Sequence, residues 1–339
     1  MLKKTIYILF LLQSVFANAQ DGHFSQYFNL PLFTNPAYAG IHQNLKVGLI
    51  YRNQYQSMPA AYSTYGIVAD VYSHKLQGGL GLKIIKDDEA NGIIQNQQAA
   101  LSYAYQNQIN KNIAFRFGME AAFHFNQLNV SKIVVYDMLD PRTGLVYQPI
   151  QAAENYTPQS SKQFFDVNSG LIFYNNDFYT ALGALHLAKP NDGFGKAHQT
   201  PLAINFQGGY IFRTKQHITS KDDWYFSPNL FLSFQDKMKE TYINALAGLG
   251  HAQTAIGFRN SGKNIDAVIF YFGFSNGIFK AGYSYDLNVS SKYFYLRNGH
   301  EISIQYLFER KKKTNLANNW SGNETKSKGR RIKCPKFFR

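Results

Sequence analysis

Residues 113–126 alternate at period two along their whole length. The odd positions are Ile113, Phe115, Phe117, Met119, Ala121, Phe123 and Phe125, and the even ones are Ala114, Arg116, Gly118, Glu120, Ala122, His124 and Asn126. A helix repeats its faces every 3.6 residues, whereas a strand sends successive side chains to opposite sides. At about 3.3 Å per residue this run is long enough to cross a bilayer as a tilted strand. One face suits lipid and the other tolerates charge.

The pattern returns four more times. In 98–106 the apolar set is Ala99, Leu101, Tyr103 and Tyr105; in 202–212 it is Leu202, Ile204, Phe206, Tyr210 and Phe212. In 279–286, Phe279, Ala281, Tyr283 and Tyr285 alternate with Lys280, Gly282, Ser284 and Asp286. In 301–308, Ile302, Ile304, Tyr306 and Phe308 alternate with Glu301, Ser303 and Gln305. Weaker versions occupy 45–55, 62–72, 78–86, 164–174, 178–187, 224–234, 242–249, 254–259 and 267–274. Together these predict an all-β transmembrane antiparallel β-barrel of about fourteen strands, an even number as single-chain bacterial barrels require.

A soluble β-sandwich or propeller also alternates. Against it stand the strand lengths, the rings on the outward set, and glycine or charge where a sandwich core would need bulk. No blade repeat at fixed spacing is present, which counts against a propeller. Turn-forming runs at 107–110, 175–177 and 275–277 sit between strand-like segments and read as short periplasmic turns. The stretches 127–163 and 189–200 lack alternation and are expected to be external loops.

The first residues place the chain in a compartment. Lys3 and Lys4, the apolar run 6–16 and Ala17-Asn18-Ala19 form the three parts of a secretory signal peptide, with cleavage expected after Ala19. The apolar run is too short to span about 30 Å of hydrocarbon as a helix. No cysteine follows the cleavage site, which argues against a lipoprotein. Cys334 is the only cysteine, so no internal disulfide can form. Stability must come from elsewhere, and a closed hydrogen-bonded wall supplies it. Aromatic residues make up 16% of the chain, with 28 Phe and 24 Tyr, more rings than a soluble core of this size normally uses. Barrels place such rings on the lipid-facing wall and in the interfacial girdles.

Charge is distributed unevenly. From Arg310 to Arg339 there are eleven Lys or Arg against Glu324 alone, which puts +10 of the formal +14 in this tail. Lys3 and Lys4 carry two more, leaving only +2 for residues 20–309. The expected organisation is therefore a signal peptide (1–19), an extended N-terminal segment (20–44), a barrel (45–309) and a basic periplasmic tail (310–339). An exported tail has no nucleic acid to meet. Anionic lipid headgroups or an acidic periplasmic face suit it, with Phe337 and Phe338 beside Cys334 suggesting a small docking element.

Catalytic and metal-binding patterns are missing. His23, His42, His74, His124, His186, His198, His217, His251 and His300 are scattered singly, whereas zinc needs three or four convergent ligands. There is no Gly-x-Ser-x-Gly elbow, phosphate-cradling loop or CxxC pair. Neither cofactor, metal nor enzymatic activity is expected. His124 and His300 are read as lumenal hydrogen-bonding groups. Arg52, Arg116, Glu120, Asp166, Arg259, Asp286 and Glu301 lie inside strand-like runs; facing lipid, each would cost about 2–4 kcal/mol, so they should turn into the lumen and pair.

Near the start of the mature chain stand Phe24-Ser25-Gln26-Tyr27, Pro31 and Asn35-Pro36-Ala37-Tyr38-Ala39-Gly40. The residue before a proline is pushed out of the helical region, and Gly40 is free to take positive φ. These runs resemble the PorP/SprF family of type IX secretion system membrane proteins. Further matches follow in order: Tyr51-Arg52-Asn53-Gln54-Tyr55, where the family usually has Trp in place of Tyr55; Gly78-Gly79-Leu80-Gly81; Ser102-Tyr103-Ala104-Tyr105; His186-Leu187 with Pro190; Gly257-Phe258-Arg259; Gly282-Tyr283-Ser284-Tyr285-Asp286; His300-Glu301-Ile302-Ser303; and Cys334-Pro335. Single runs are unspecific, but their shared order over about 310 residues is specific.

The resemblance implies an integral outer-membrane barrel serving secretion or gliding as a non-catalytic component. It would bind the C-terminal sorting domain of a secreted surface protein, or periplasmic ring or peptidoglycan-bound partners. By the same resemblance Phe24, Ser25, Gln26, Tyr27, Asn35, Pro36, Gly40, Arg52, His186, Arg259, Tyr283, Asp286, His300, Glu301, Cys334 and Pro335 are the candidate structural or partner-binding positions. The barrel taken alone also fits an outer-membrane channel for hydrophobic or small polar solutes. The basic tail is longer and richer in lysine than the family core.

Overall fold

The structure is a computed structural model that describes residues 24–55, 62–109, 113–129, 132, 142–143, 161–194, 198–213, 224–262, 265–289 and 298–308. The expected signal peptide, most of 127–163 and the tail with Cys334 and Pro335 lie outside the described residues.

Fifteen strand segments follow in order: β1 (Lys46–Gln54), β2 (Tyr62–Ser73), β3 (Gly78–Glu89), β4 (Ile94–Gln108), β5 (Ala114–Leu128), β6 (Ser161–Tyr174), β7 (Phe178–Leu185), β8 (Ala203–Tyr210), β9 (Phe212–Arg213), β10 (Trp224–Gln235), β11 (Met238–Leu249), β12 (Ala252–Asn260), β13 (Ile265–Ser275), β14 (Phe279–Asn288) and β15 (Asn298–Leu307). Each pairs antiparallel with its neighbour, β15 returns to β1 with Lys46 opposite Leu307, and β10 pairs with β11. The sheet therefore closes into a barrel. β8 and β9 are two pieces of one strand, both paired with β10, so the wall has fourteen strands. The ladder breaks next to Pro228, which has no N–H to give, and the Ile211 N–H turns instead to the Asp177 carbonyl at 2.7 Å.

The wall is inside out compared with a soluble protein. On β4, β5 and β6 the outward Leu101, Phe117 and Phe165 are 68%, 40% and 74% exposed, while the inward Arg116 and Glu120 are 0% and 2% exposed. Hydrocarbon accepts the first set, and the second finds partners within the lumen. Among the described residues no helix is long and apolar enough to cross a membrane, which says nothing about a barrel.

Five short turns, 74–77, 109–113, 175–177, 250–251 and 276–278, join strands at the end where β1 begins and β15 finishes. This is called here the terminal end. The far end carries the two longest connections, 129–160 and 186–202, together with 289–297 and the short turns 90–93, 236–237 and 261–264. The turns and the two loops expected from the sequence fall at these opposite ends.

A circle of fourteen strands is too wide for wall side chains alone to fill. Residues 24–42 fill it: each one is buried. The expectation of an extended segment needs correcting here, because the stretch folds into turns with two short 3-10 helices, Pro31–Phe33 and Pro36–Tyr38. Proline starts both, its fixed φ and missing N–H being tolerated at a first helical position. Asn35 alone before Pro36 is extended, at φ −159° and ψ 121°, and its side chain accepts the Ala37 N–H at 2.9 Å. Gly40 takes φ +64° and donates its N–H to Asp70 at 3.0 Å, turning the chain towards β1.

The plug lies close on the wall. A Cβ added at Gly118 would strike the backbone of Ala37, and one at Gly79 would strike the Ala39 carbonyl. Backbone cannot step aside as a side chain can, so both positions require glycine. Elsewhere rings fill the space: Tyr27 lies 5.1 Å from Phe231 and 5.3 Å from Tyr242, and Phe28 lies 5.2 Å from Tyr271. Tyr27, Tyr38, Tyr174, Tyr179, Tyr225, Tyr242 and Tyr271 are all buried. The tyrosine content expected for the lipid face thus also serves the lumen.

Candidate functional site

Where the plug enters the wall, four charged groups from four strands meet two of its residues. Arg52 on β1 places Nη1 2.7 Å from Glu301 on β15 and Nη2 2.8 Å from Asp286 on β14. Arg259 on β12 reaches the same Asp286 oxygen at 3.0 Å. Period two put all four on the inward face, and barrel closure brought β1 beside β15. Two guanidinium groups balance two carboxylates, so the cluster is neutral as a unit.

The plug completes it. The backbone N–H groups of Ser25 and Gln26 donate to the two oxygens of Glu301 at 2.9 and 2.8 Å. The Ser25 hydroxyl donates to Asp286 at 2.7 Å and accepts from Arg52 at 2.6 Å and from Arg259 at 3.3 Å. Gln26 donates through Nε2 to the Glu301 carbonyl at 2.9 Å and accepts from Ser303 at 2.7 Å and from Asn29 at 2.8 Å. The contacts of Arg52, Asp286 and Glu301 with one another and with the plug are buried, Arg259 alone being part-exposed, and removing one partner of a buried pair typically costs about 3–5 kcal/mol.

Two further anchors follow along the plug. Arg116 donates to the Ala37 carbonyl at 2.9 Å and also to that of Ala39. Gln207 donates to the Thr34 hydroxyl at 2.5 Å and accepts from Tyr38 at 2.9 Å. Beside the plug, Glu120 takes Lys83 at 2.8 Å, Ser102 at 2.7 Å and Asn168 at 2.8 Å. His186, at φ +60°, has its N–H held by Asn168 at 2.9 Å and its ring 2.6 Å from Asp166.

Phe24, Ser25, Gln26, Tyr27, Asn35, Pro36, Gly40, Arg52, His186, Arg259, Asp286 and Glu301 are gathered in the lumen by the fold. Tyr283 and His300 are not. They face outward, with the Tyr283 hydroxyl 2.8 Å from His300 Nδ1, so the lumenal reading of His300 is corrected. Residues 300 and 302 share a face, and Ile302 is outward, so register and not polarity decides which way His300 points. His124 does face the lumen, 3.2 Å from Gln98 and stacked on Phe164 at 4.7 Å. All seven strand charges expected to turn inward do so. Lys46, Asp70, Lys83 and Gln207 were not singled out from the sequence, although each lies on the inward set of an alternating run. Among the described residues no group of three or more His, Cys, Asp or Glu is placed to hold a metal.

The family model described as type IX secretion system membrane protein PorP/SprF matches residues 16–306. No curated protein matches the chain. Solved structures that resemble it include the toluene transporter TbuX of Ralstonia pickettii, 10% identical over 83% of this chain and 94% of that one, with a TM-score of 0.47. Another is the outer membrane protein Omp33 of Acinetobacter baumannii, 7% identical over 79% and 100% of the two chains, with a TM-score of 0.42. Both likenesses are remote, and the barrel stands on its own strand pairing.

Proposed function

Because the chain belongs to the PorP/SprF family of type IX secretion system membrane proteins, and is an outer-membrane barrel of that system, we propose that it works as a non-catalytic holding component. In this reading the far end, with the long connections, faces outwards and binds the C-terminal sorting domain of a secreted surface protein. The terminal end, opposite the two longest connections, faces the periplasm, as the short-looped side does in outer-membrane barrels, and directs the basic tail towards ring or peptidoglycan-bound partners.

The observation that carries this reading is the filled lumen. A wall of this width would otherwise conduct water and ions, and the buried stretch 24–42 occupies that space with the chain's own residues. A component that grips large partners gains from a rigid, sealed body, whereas a solute path needs an open bore. The plug and its ion cluster therefore weigh against the channel reading. Deleting the gene and assaying surface proteins tests the proposal: loss of secretion or surface display is expected, and unchanged display would defeat it.

A further inference from the structure

Between the plug and the far rim lies a cavity of about 200 Å³. Phe24 and Phe33, with ring centroids 4.8 Å apart, are its plug side, and the far ends of β2 to β7 form its wall. Three carboxylates line it: Asp87, Glu89 and Asp192. Lys83 is the only lysine or arginine among the lining residues, and its ammonium is held at 2.8 Å by Glu120. Of the lining histidines, His198 lies 2.7 Å from Asp192 and His186 2.6 Å from Asp166.

Acidic residues alone do not define a site. Here they accompany buried oxygens that have no hydrogen-bond partner: Asn205 Oδ1, Thr200 Oγ1 and Asn126 Oδ1, all on cavity-lining side chains. Asn205 is 1% exposed and Thr200 8%. Natural interiors satisfy such atoms, because an unmet buried acceptor costs about 1–3 kcal/mol. The amide oxygens of Asn205 and Asn126 call for a donor, the Thr200 hydroxyl is served by a donor or an acceptor, and the carboxylates favour positive charge. A guanidinium brings five N–H donors in a plane and an ammonium brings three, whereas a carboxylate or phosphate brings none.

We propose that this cavity binds one guanidinium or ammonium group, carried on a basic side chain of the polypeptide that the barrel holds at its outer face. The cation chemistry stands on the cavity; the source of the cation rests on the holding role proposed above. The apolar rings of Phe24 and Phe33 suit the aliphatic stem of such a side chain.

The test uses the full chain in detergent micelles, with calorimetric titration of N-acetyl-arginine amide and of its neutral isostere N-acetyl-citrulline amide. The arginine probe should bind at least about tenfold more tightly, the order expected when hydrogen bonds to a charged group are lost. Asp87→Asn with Glu89→Gln should weaken the arginine probe by a similar factor. Asp192→Asn, on the connection after β7, should weaken it in the same direction with the least disturbance of the wall. Equal binding of the two probes, no binding of either, or full affinity in the folded variants would overturn the proposal. If the arginine probe binds while a deletion strain displays its surface proteins normally, the holding role fails and the cation site stands. If display is lost while the probe does not bind, the cation site fails alone.

Discussion

At the residue scale, the side chains that matter most are those whose inward face left them only one another as partners. Arg52 touches Glu301, Asp286 and the Ser25 hydroxyl at 2.6–2.8 Å, all out of water. Arg52→Ala would leave Glu301 without its cation, Asp286 with Arg259 alone, and the plug's first turn without one of its donors. A loss of about 3–5 kcal/mol is expected, read as a lowered urea midpoint for unfolding in micelles. His300→Phe on the outward face should stay within about 0.5 kcal/mol of the parent in the same assay. A reversed ranking would mean that register, and with it the inward assignment of Glu301, is wrong. Sequence made the charges legible through a simple cost: lipid penalises them, so they turn in. It misplaced His300 because a polar residue near Glu301 looked lumenal, although two-residue periodicity puts it beside Ile302.

At the scale of elements, β1 to β15 were readable because each wall strand meets two solvents at once. Hydrocarbon and a polar lumen write period two into the chain, and the expected segments lie within a few residues of the observed ones. The segment 24–42 meets only the lumen, so it has no alternation to report. Its 3-10 turns come from Pro31 and Pro36, and its place inside the barrel is signalled indirectly, by glycine at inward positions where charge or bulk would otherwise sit. Gly118→Leu tests that link. The added side chain meets the Ala37 backbone, which cannot yield. The variant should still insert as a barrel but with the plug displaced, seen as protease cleavage within 24–42 that the parent resists. Protection equal to that of the parent would show that the plug does not lie on β5. The basic tail and Cys334 gave only composition and no pattern that fixes a partner.

At the scale of the whole molecule, the chain is a barrel that has folded its own beginning into its bore. Ion pairs, glycine contacts and tyrosine rings all act between the wall and residues 24–42, so closure of the sheet and sealing of the lumen are one event in packing terms. The far-end cavity is a part of the bore that the plug leaves open, lined by acid and by unmet amide oxygens. This arrangement suits a body that grips rather than conducts. Planar-bilayer recording of the purified full chain beside a variant lacking residues 24–42 addresses it most directly. The account predicts a silent membrane with the full chain and a steady conductance with the deletion; a steady open conductance from the intact protein would contradict it.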